Sequence, residues 1–257
     1  EHKGTKDVMH WFEKIAEIPR CSKNEDGIRE WLEGWAKDNG FSCKTDTVKN
    51  LVITVPATSG YESAPTVVLQ GHMDMVCEKS KGHSHDFTKD PIKLQYEGDW
   101  LTADNTTLGA DNGIAIAMAM AAALDKDNPH PAMELLFTVD EETGLTGATE
   151  LADDMLDGRL LLNVDSEDEG VFTVGCAGGK DTHSSIPVAT EAVPGGYEVC
   201  KLVAGGMAGG HSGVDIHEQR ANAIHLLCRG LDELMAGGDV RIADFKGGTA
   251  HNAIPRD

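Results

Sequence analysis

Four separate segments of this 257-residue chain carry histidine or carboxylates in tight groups. They are His72-Met73-Asp74, Asp111, Asp140-Glu141-Glu142 and Asp165. One imidazole with several carboxylates is the mixed N and O donor set of a borderline divalent cation, zinc above all. Gathered without a cation, such like charges cost on the order of several kcal/mol. Positions 72 and 74 point to the same side of an extended strand end. Asp74 could therefore orient the His72 imidazole from behind instead of ligating. Glu141 and Glu142 are adjacent and cannot easily do the same job, so one can hold metal while the other faces a metal-bound water. Asn112, just after Asp111, could cap a helix.

Each element alone has an ordinary explanation. His-x-Asp recurs by chance, Asp-Asn-Gly is a turn sequence, and Asp-Glu-Glu is a common solvated face. Four of them at successive strand ends are much harder to explain in that way.

The elements that must position these residues can be read from periodicity. Lys6 to Ile18 has Val8, Trp11, Phe12 and Ile15 at helical spacing, and Pro19 ends it. Asn24 to Asn39 is a second amphipathic helix, closed by Gly40. Strands are expected at 41–48, 51–55, 67–70, 94–101, 133–139 and 160–164. Gly109 to Asn112 opens a helix over 113–124, and Glu78 to Asp90 is a surface loop. Strands separated by helices indicate an α/β layer architecture with a mostly parallel sheet and flanking helices. In such sheets, ligands bind beyond the carboxyl ends of the strands, where the acidic segments fall.

Composition shifts near residue 180. Strands at 197–203 and 240–245 with a helix over 221–235 would form part of a small α/β sandwich, because two strands and one helix bury little surface alone. The expected domains are therefore 1–180 and 181–257, the second with only its first half present.

Charge narrows the partners. Lys plus Arg number 22 and Asp plus Glu 43, for a net −21. Nucleic acid and an anionic membrane surface are poor partners for such a chain. No run of about 18 apolar residues offers a membrane span, and the N-terminal residues lack a signal pattern. The six cysteines are scattered with no CxxC, which reads as reduced thiols in a cytoplasmic protein.

The wording of the four segments is specific. Gly71-His72-Met73-Asp74-Met75-Val76, Leu108-Gly109-Ala110-Asp111-Asn112-Gly113, Phe137-Thr138-Val139-Asp140-Glu141-Glu142-Thr143-Gly144 and Leu162-Asn163-Val164-Asp165-Ser166-Glu167 resemble the co-catalytic zinc peptidases. That family includes aminoacylases, carboxypeptidase G and cytosolic dipeptidases. The resemblance runs from about residue 6 to the last residue, and is strongest to members acting on aminoacyl-histidine (Xaa-His) dipeptides. It implies that His72 and Asp165 hold one zinc, Glu142 the other, and that Asp111 bridges them. It implies a cis bond after Asp111, Asp74 as the residue orienting His72, and Glu141 as general base. A hydroxide between two zinc ions would attack the scissile carbonyl, with Glu141 moving the proton to the leaving amine. Mn²⁺ or Co²⁺ could serve in place of Zn²⁺. No GxSxG nucleophile motif competes.

Gly209-Gly210-His211-Ser212-Gly213 resembles the family's lid motif, making His211 a candidate oxyanion donor and substrate contact. Asn252, in His251-Asn252-Ala253-Ile254-Pro255-Arg256, resembles a stretch near the substrate. The resemblance also implies a homodimer formed through the lid and a small dipeptide as substrate.

Family members are about twice this length and carry a final histidine that completes the second zinc site. This chain resembles their N-terminal half, and nothing in the spacing of His83, His85 or His130 marks a substitute. Three alternatives therefore stand beside the dipeptidase. One is a truncated, non-catalytic fragment that binds at most one metal. Another is a different di-metal amidohydrolase or peptidase of the family. The third, a dinuclear phosphoesterase, lacks basic residues placed for phosphate.

Overall fold

The apolar spacing of the first forty residues becomes two helices, α1 (Lys3–Ala16) and α2 (Asp26–Asp38), in a computed structural model. It describes residues 3–166, 170–176, 178, 180, 182–248, 250 and 252–257. Phe12 and Ile15 of α1 are buried, as are Ile28, Leu32 and Trp35 of α2, which recur along one helical face. Gly40, at φ 76°, takes the left-handed conformation that ends the second helix.

The chain divides into two compact units, Glu1–Val171 and Phe172–Asp257. The first is built on a five-stranded sheet. Its strands are β1 (Ser42–Thr45), β2 (Leu51–Val55), β3 (Val67–His72), β6 (Met133–Thr138) and β7 (Leu160–Asn163), in the spatial order β1-β2-β6-β3-β7. β3 runs parallel to both β6 and β7, whereas β1 and β2 form an antiparallel edge. Between β3 and β6 the chain crosses over through α3 (Ala110–Leu124), the connection that parallel strands need. α3 is apolar on nearly all sides because α1 and the sheet cover it.

Alternation along the strands sorts the core. Leu51, Ile53, Met133, Leu135 and Phe137 face α1, α2 and α3, where Phe12, Ile15, Leu32, Ile116 and Met120 complete the main cluster. Val52, Val68 and Leu136 face the other way, onto Met155. Glu134 is also buried there. Its carboxylate accepts the main-chain N–H of Asp157 at 3.0 Å and of Gly158 at 2.9 Å, so the buried charge is hydrogen-bonded.

The run expected as one strand over 94–101 is a hairpin of β4 (Leu94–Glu97) and β5 (Trp100–Ala103). Gly98 at φ 64° supplies the turn. A second difference concerns cysteine. Cys21 and Cys77 form a disulfide, with Cα atoms 5.7 Å apart, so the expectation of six free thiols does not hold. The pairing was hidden by a separation of 56 residues. A parallel bridge between Cys21 and Met75 brings the two segments side by side.

In the second unit, α5 (Ala223–Gly237) occupies the expected helix. The Asn222 side chain caps it by accepting from the His225 N–H at 3.1 Å. The strands expected at 197–203 and 240–245 are not strands. Strand residues need a paired neighbour and a packed face, and here Val199, Val203 and Ile242 are all exposed.

Candidate metal centre

The sheet register puts the acidic segments at one edge. His72 is opposite Thr138 and Gln70 is opposite Asn163, so β3, β6 and β7 end together. Asp74, Glu141 and Asp165 follow within three residues of those ends. Asp111 arrives from the first turn of α3.

His72 is 1 % exposed. Its Nδ1 lies 3.1 Å from both Asp74 Oδ1 and the Asp74 carbonyl oxygen. Those two acceptors keep a proton on Nδ1 and turn Nε2 toward the other carboxylates. Nε2 is 3.0 Å from Asp111 Oδ1, 3.9 Å from Glu141 Oε2 and 4.0 Å from Asp165 Oδ2. One ligand atom each from His72, Asp111 and Asp165 lies within 4.8 Å of the others, and the same holds for His72, Glu141 and Glu142. Both groups draw on His72.

Protein groups alone make the site a trap for positive charge. Burial opposes an imidazolium at His72, but the hydrogen bond and charge of Asp74, with Asp165 and Asp111, outweigh it and raise His72 to about 9. Burial likewise pushes the Asp74 carboxyl up. Bonds from His72, from Ser22 Oγ at 2.7 Å and from the N–H of Glu141 at 3.0 Å and Glu142 at 3.2 Å reverse this and pull it to about 2. Asp74 thus orients the imidazole and also fixes the first turn of α4 (Glu141–Gly144). Glu141 is shifted up, first by burial and then by the charges of Asp165, Asp74 and Asp111, against the attraction of His72. Glu142 is raised by burial and by Asp111.

The bond between Asp111 and Asn112 is cis, as the resemblance implied. Asn112 does not cap α3, contrary to expectation. Its Oδ1 accepts the His72 N–H at 3.2 Å, and its Nδ2 donates to the Val164 carbonyl at 3.0 Å and to Asp165 Oδ1 at 3.2 Å. One amide therefore ties three of the segments together. Asp140 is turned away from the centre, accepting from the hydroxyls of Thr143 and Thr146 in its own loop. Among the described residues, His83, His85 and His130 belong to neither donor group. Ser22 and Asn112 are the site residues that periodicity missed. Both act through hydrogen bonds between distant segments, for which spacing carries no signal.

His211 and Asn252 lie in the second unit. His211 Nδ1 accepts the N–H of Gly213 at 3.0 Å and of Val214 at 3.1 Å. A neutral imidazole so engaged carries its proton on Nε2. The Asn252 carbonyl accepts the Ser212 N–H at 2.8 Å, so the two candidate segments are bonded side by side. Glu167 and His251 of the quoted motifs are outside the described residues.

A family profile described as peptidase family M28 matches residues 50–200, more than half of the chain and all four acidic segments. The chain belongs to that peptidase family. A second profile, described as a peptidase dimerisation domain, matches residues 204–257 of this M28 peptidase. The cytosol non-specific dipeptidase of Escherichia coli is 47 % identical over 246 residues, covering 96 % of this chain and 51 % of that protein. The crystal structure of aminoacylhistidine dipeptidase from Vibrio alginolyticus superposes with a TM-score of 0.72 at 38 % identity. It covers 97 % of this chain and 51 % of that one. A tripeptidase from Staphylococcus aureus shares the fold, with a TM-score of 0.56 at 19 % identity, over 98 % of this chain and 63 % of that one. The chain spans about half the length of the first two. Their kinship is the one that the four motifs implied.

Proposed function

We propose that this chain carries the principal metal-binding and catalytic groups of a metal-dependent dipeptidase that releases the N-terminal residue of Xaa-His dipeptides. The observation that carries the reading is the convergence of His72, Asp111 and Asp165, with Glu141 and Glu142 beside them, on donor atoms within 4.8 Å. The donor set fits a divalent metal. One buried, back-supported imidazole and several carboxylates match zinc chemistry and leave Mn²⁺ or Co²⁺ competent. The kinship to proteins named as dipeptidases supports the substrate class.

When bound, zinc supplies a Lewis acid for the scissile carbonyl and lowers the pKa of water. His72, Asp165 and Asp111 would hold one ion, and Glu142, with Asp111, would serve a second. Asp74 holds His72 in the tautomer that presents Nε2. Glu141 is the general base: its carboxylate lies 3.9 Å from His72 Nε2, beside the His72–Asp111–Asp165 group and outside it, where it would take a proton and return it to the leaving amine. His211 offers an Nε2–H to a developing oxyanion, and Asn252, on the segment bonded to it, is the candidate substrate contact.

In this reading the residues up to about 180 form the catalytic domain, and 181–257 belong to a lid that pairs two copies. The dimerisation-domain match supports the pairing. Kinship to a protein named for the cytosol supports a cytoplasmic location. Among the described residues, no helix is long and apolar enough to cross a membrane.

A second reading has an observation of its own. Both donor groups draw on the one His72 imidazole, so by themselves they describe one ion at a time. On that reading the chain binds a single metal without turnover. Hydrolysis of β-alanyl-histidine, assayed with and without chelator, separates the two. The dipeptidase reading expects chelator-sensitive turnover that Glu141→Gln removes. A Glu141→Gln protein that keeps its metal and full activity would sink the base assignment.

A further inference from the structure

Arg20 follows Pro19 just after α1, and none of the four acidic motifs contains it. It is 2 % exposed. Burying a guanidinium is costly unless its donors are satisfied. Among the described residues, those donors meet only main-chain carbonyls. Nη1 donates to Met73 O at 3.0 Å and to Asp74 O at 2.9 Å, and Nη2 donates to Gly109 O. Met73 and Asp74 directly follow His72, and Gly109 precedes Asp111 by two residues. The Met75 N–H closes the clamp by donating to the Arg20 carbonyl at 3.1 Å.

The neighbours are shaped for this group. A Cβ at Gly109 or at Gly113 would each lie 2.6 Å from Arg20 Nη2. Gly109, at φ 72°, needs glycine for its backbone as well. Gly113 has no such need, because it sits inside α3 with an ordinary φ, where alanine is the better helix former. The slot for the guanidinium accounts for most of it, with the Phe12 ring 3.2 Å from the same Cβ position. The planar fork also explains why arginine fits: it reaches three carbonyls on two segments at once, which the single ammonium of a lysine does not reproduce.

We propose that Arg20 is a positioning residue of the metal centre, whose guanidinium sets the spacing between the His72–Asp74 strand end and the Asp111 turn. It touches neither metal nor substrate. Its action runs through the carbonyls that fix where His72 Nε2 and Asp111 Oδ1 meet, 3.0 Å apart. The inference rests on the metal-site reading above and adds to it a residue at the rear of the site.

The test compares Zn²⁺ affinity, measured by competition with a chromophoric chelator at fixed pH, in wild type, Arg20→Lys, Gly113→Ala and the double variant. Arg20→Lys keeps the charge, so electrostatic repulsion of the ion stays constant and only the fork is lost. We expect each single variant to bind Zn²⁺ at least tenfold more weakly while its metal-free fold, followed by circular dichroism, persists. In the Arg20→Lys background, Gly113→Ala should cost clearly less than it does in wild type, because the Cβ then meets only the Phe12 ring, at 3.2 Å, and no guanidinium. Unchanged affinity in Arg20→Lys, or fully additive losses in the double variant, would overturn the proposal. Unfolding of the metal-free Arg20→Lys chain would overturn it too, making Arg20 a residue of the general fold. If wild type itself takes up no Zn²⁺, the metal-site reading fails first, and that outcome is distinct from both.

Discussion

His72 Nδ1 lies 3.1 Å from Asp74 Oδ1, and neither side chain is more than 1 % exposed. This buried pair, at the end of a parallel strand, is the fixed point about which the other carboxylates are arranged. Removing the charge from one partner tests its weight. Asp74→Asn should destabilise the chain by about 3 kcal/mol in urea titrations, because an amide cannot accept all the bonds that the carboxylate takes. It should also weaken zinc binding roughly 10–100-fold, the usual cost of losing the partner behind a ligating histidine. A stable Asp74→Asn protein with native zinc affinity would remove Asp74 from the account.

The same pair gives the metal-free protein a pH signature. His72 is raised from 6.5 to about 9, so its contribution to stability is complete below pH 6.5 and is lost as pH rises through about 9. Asp74 is lowered from 3.8 to about 2, so its contribution is present above 3.8 and is lost as pH falls through about 2. The pair therefore stabilises most fully between pH 3.8 and 6.5. Urea midpoints of the chelator-treated protein should decline from pH 7 to 9. In His72→Ala that decline should flatten; an equally steep decline in both proteins would assign it to other groups.

Gly71 tests the close approach behind the site. A Cβ there would collide with Asn112 Oδ1 and come within 2.8 Å of Ala115 Cβ. Gly71→Ala should cost about 1–3 kcal/mol from overpacking. It should also weaken zinc binding, because Asn112 joins His72 to Asp165. Thermal unfolding and chelator competition read the two effects. A neutral Gly71→Ala would mean that Asn112 can move without consequence.

The Cys21–Cys77 pair is checked by counting thiols. Denatured under non-reducing conditions, the chain should titrate four of its six cysteines with a thiol reagent, namely Cys43, Cys176, Cys200 and Cys228. After reduction all six should react. Reduction should lower stability by about 2–4 kcal/mol, as expected for a loop of this length. Six reactive thiols before reduction would contradict the pairing.

Much of this arrangement was legible in the sequence, and the reasons are physical. Buried strands such as Met133–Thr138 show as continuous apolar runs, so the chemistry at their ends could be placed at one edge of a sheet. His72, Glu141, Glu142 and Asp165 converge for that reason, and Asp111 joins them from the first turn of α3. Arg20, Ser22 and Asn112 were not legible in those roles. Each acts by hydrogen bonds across 40 or more residues of separation, and periodicity reports only on near neighbours. The strands expected at 197–203 and 240–245 failed for the converse reason. Their composition favours a strand, but a strand exists only with a partner to pair it.

The central claim is that His72, Asp111 and Asp165 together hold a divalent metal. Calorimetric titration of chelator-treated protein with Zn²⁺ tests it most directly, with His72→Ala and Asp165→Asn measured alongside. The account predicts stoichiometric binding to wild type, weakened at least 100-fold in His72→Ala and at least tenfold in Asp165→Asn, with folded protein in every case. Zinc binding of equal strength in all three proteins would contradict it.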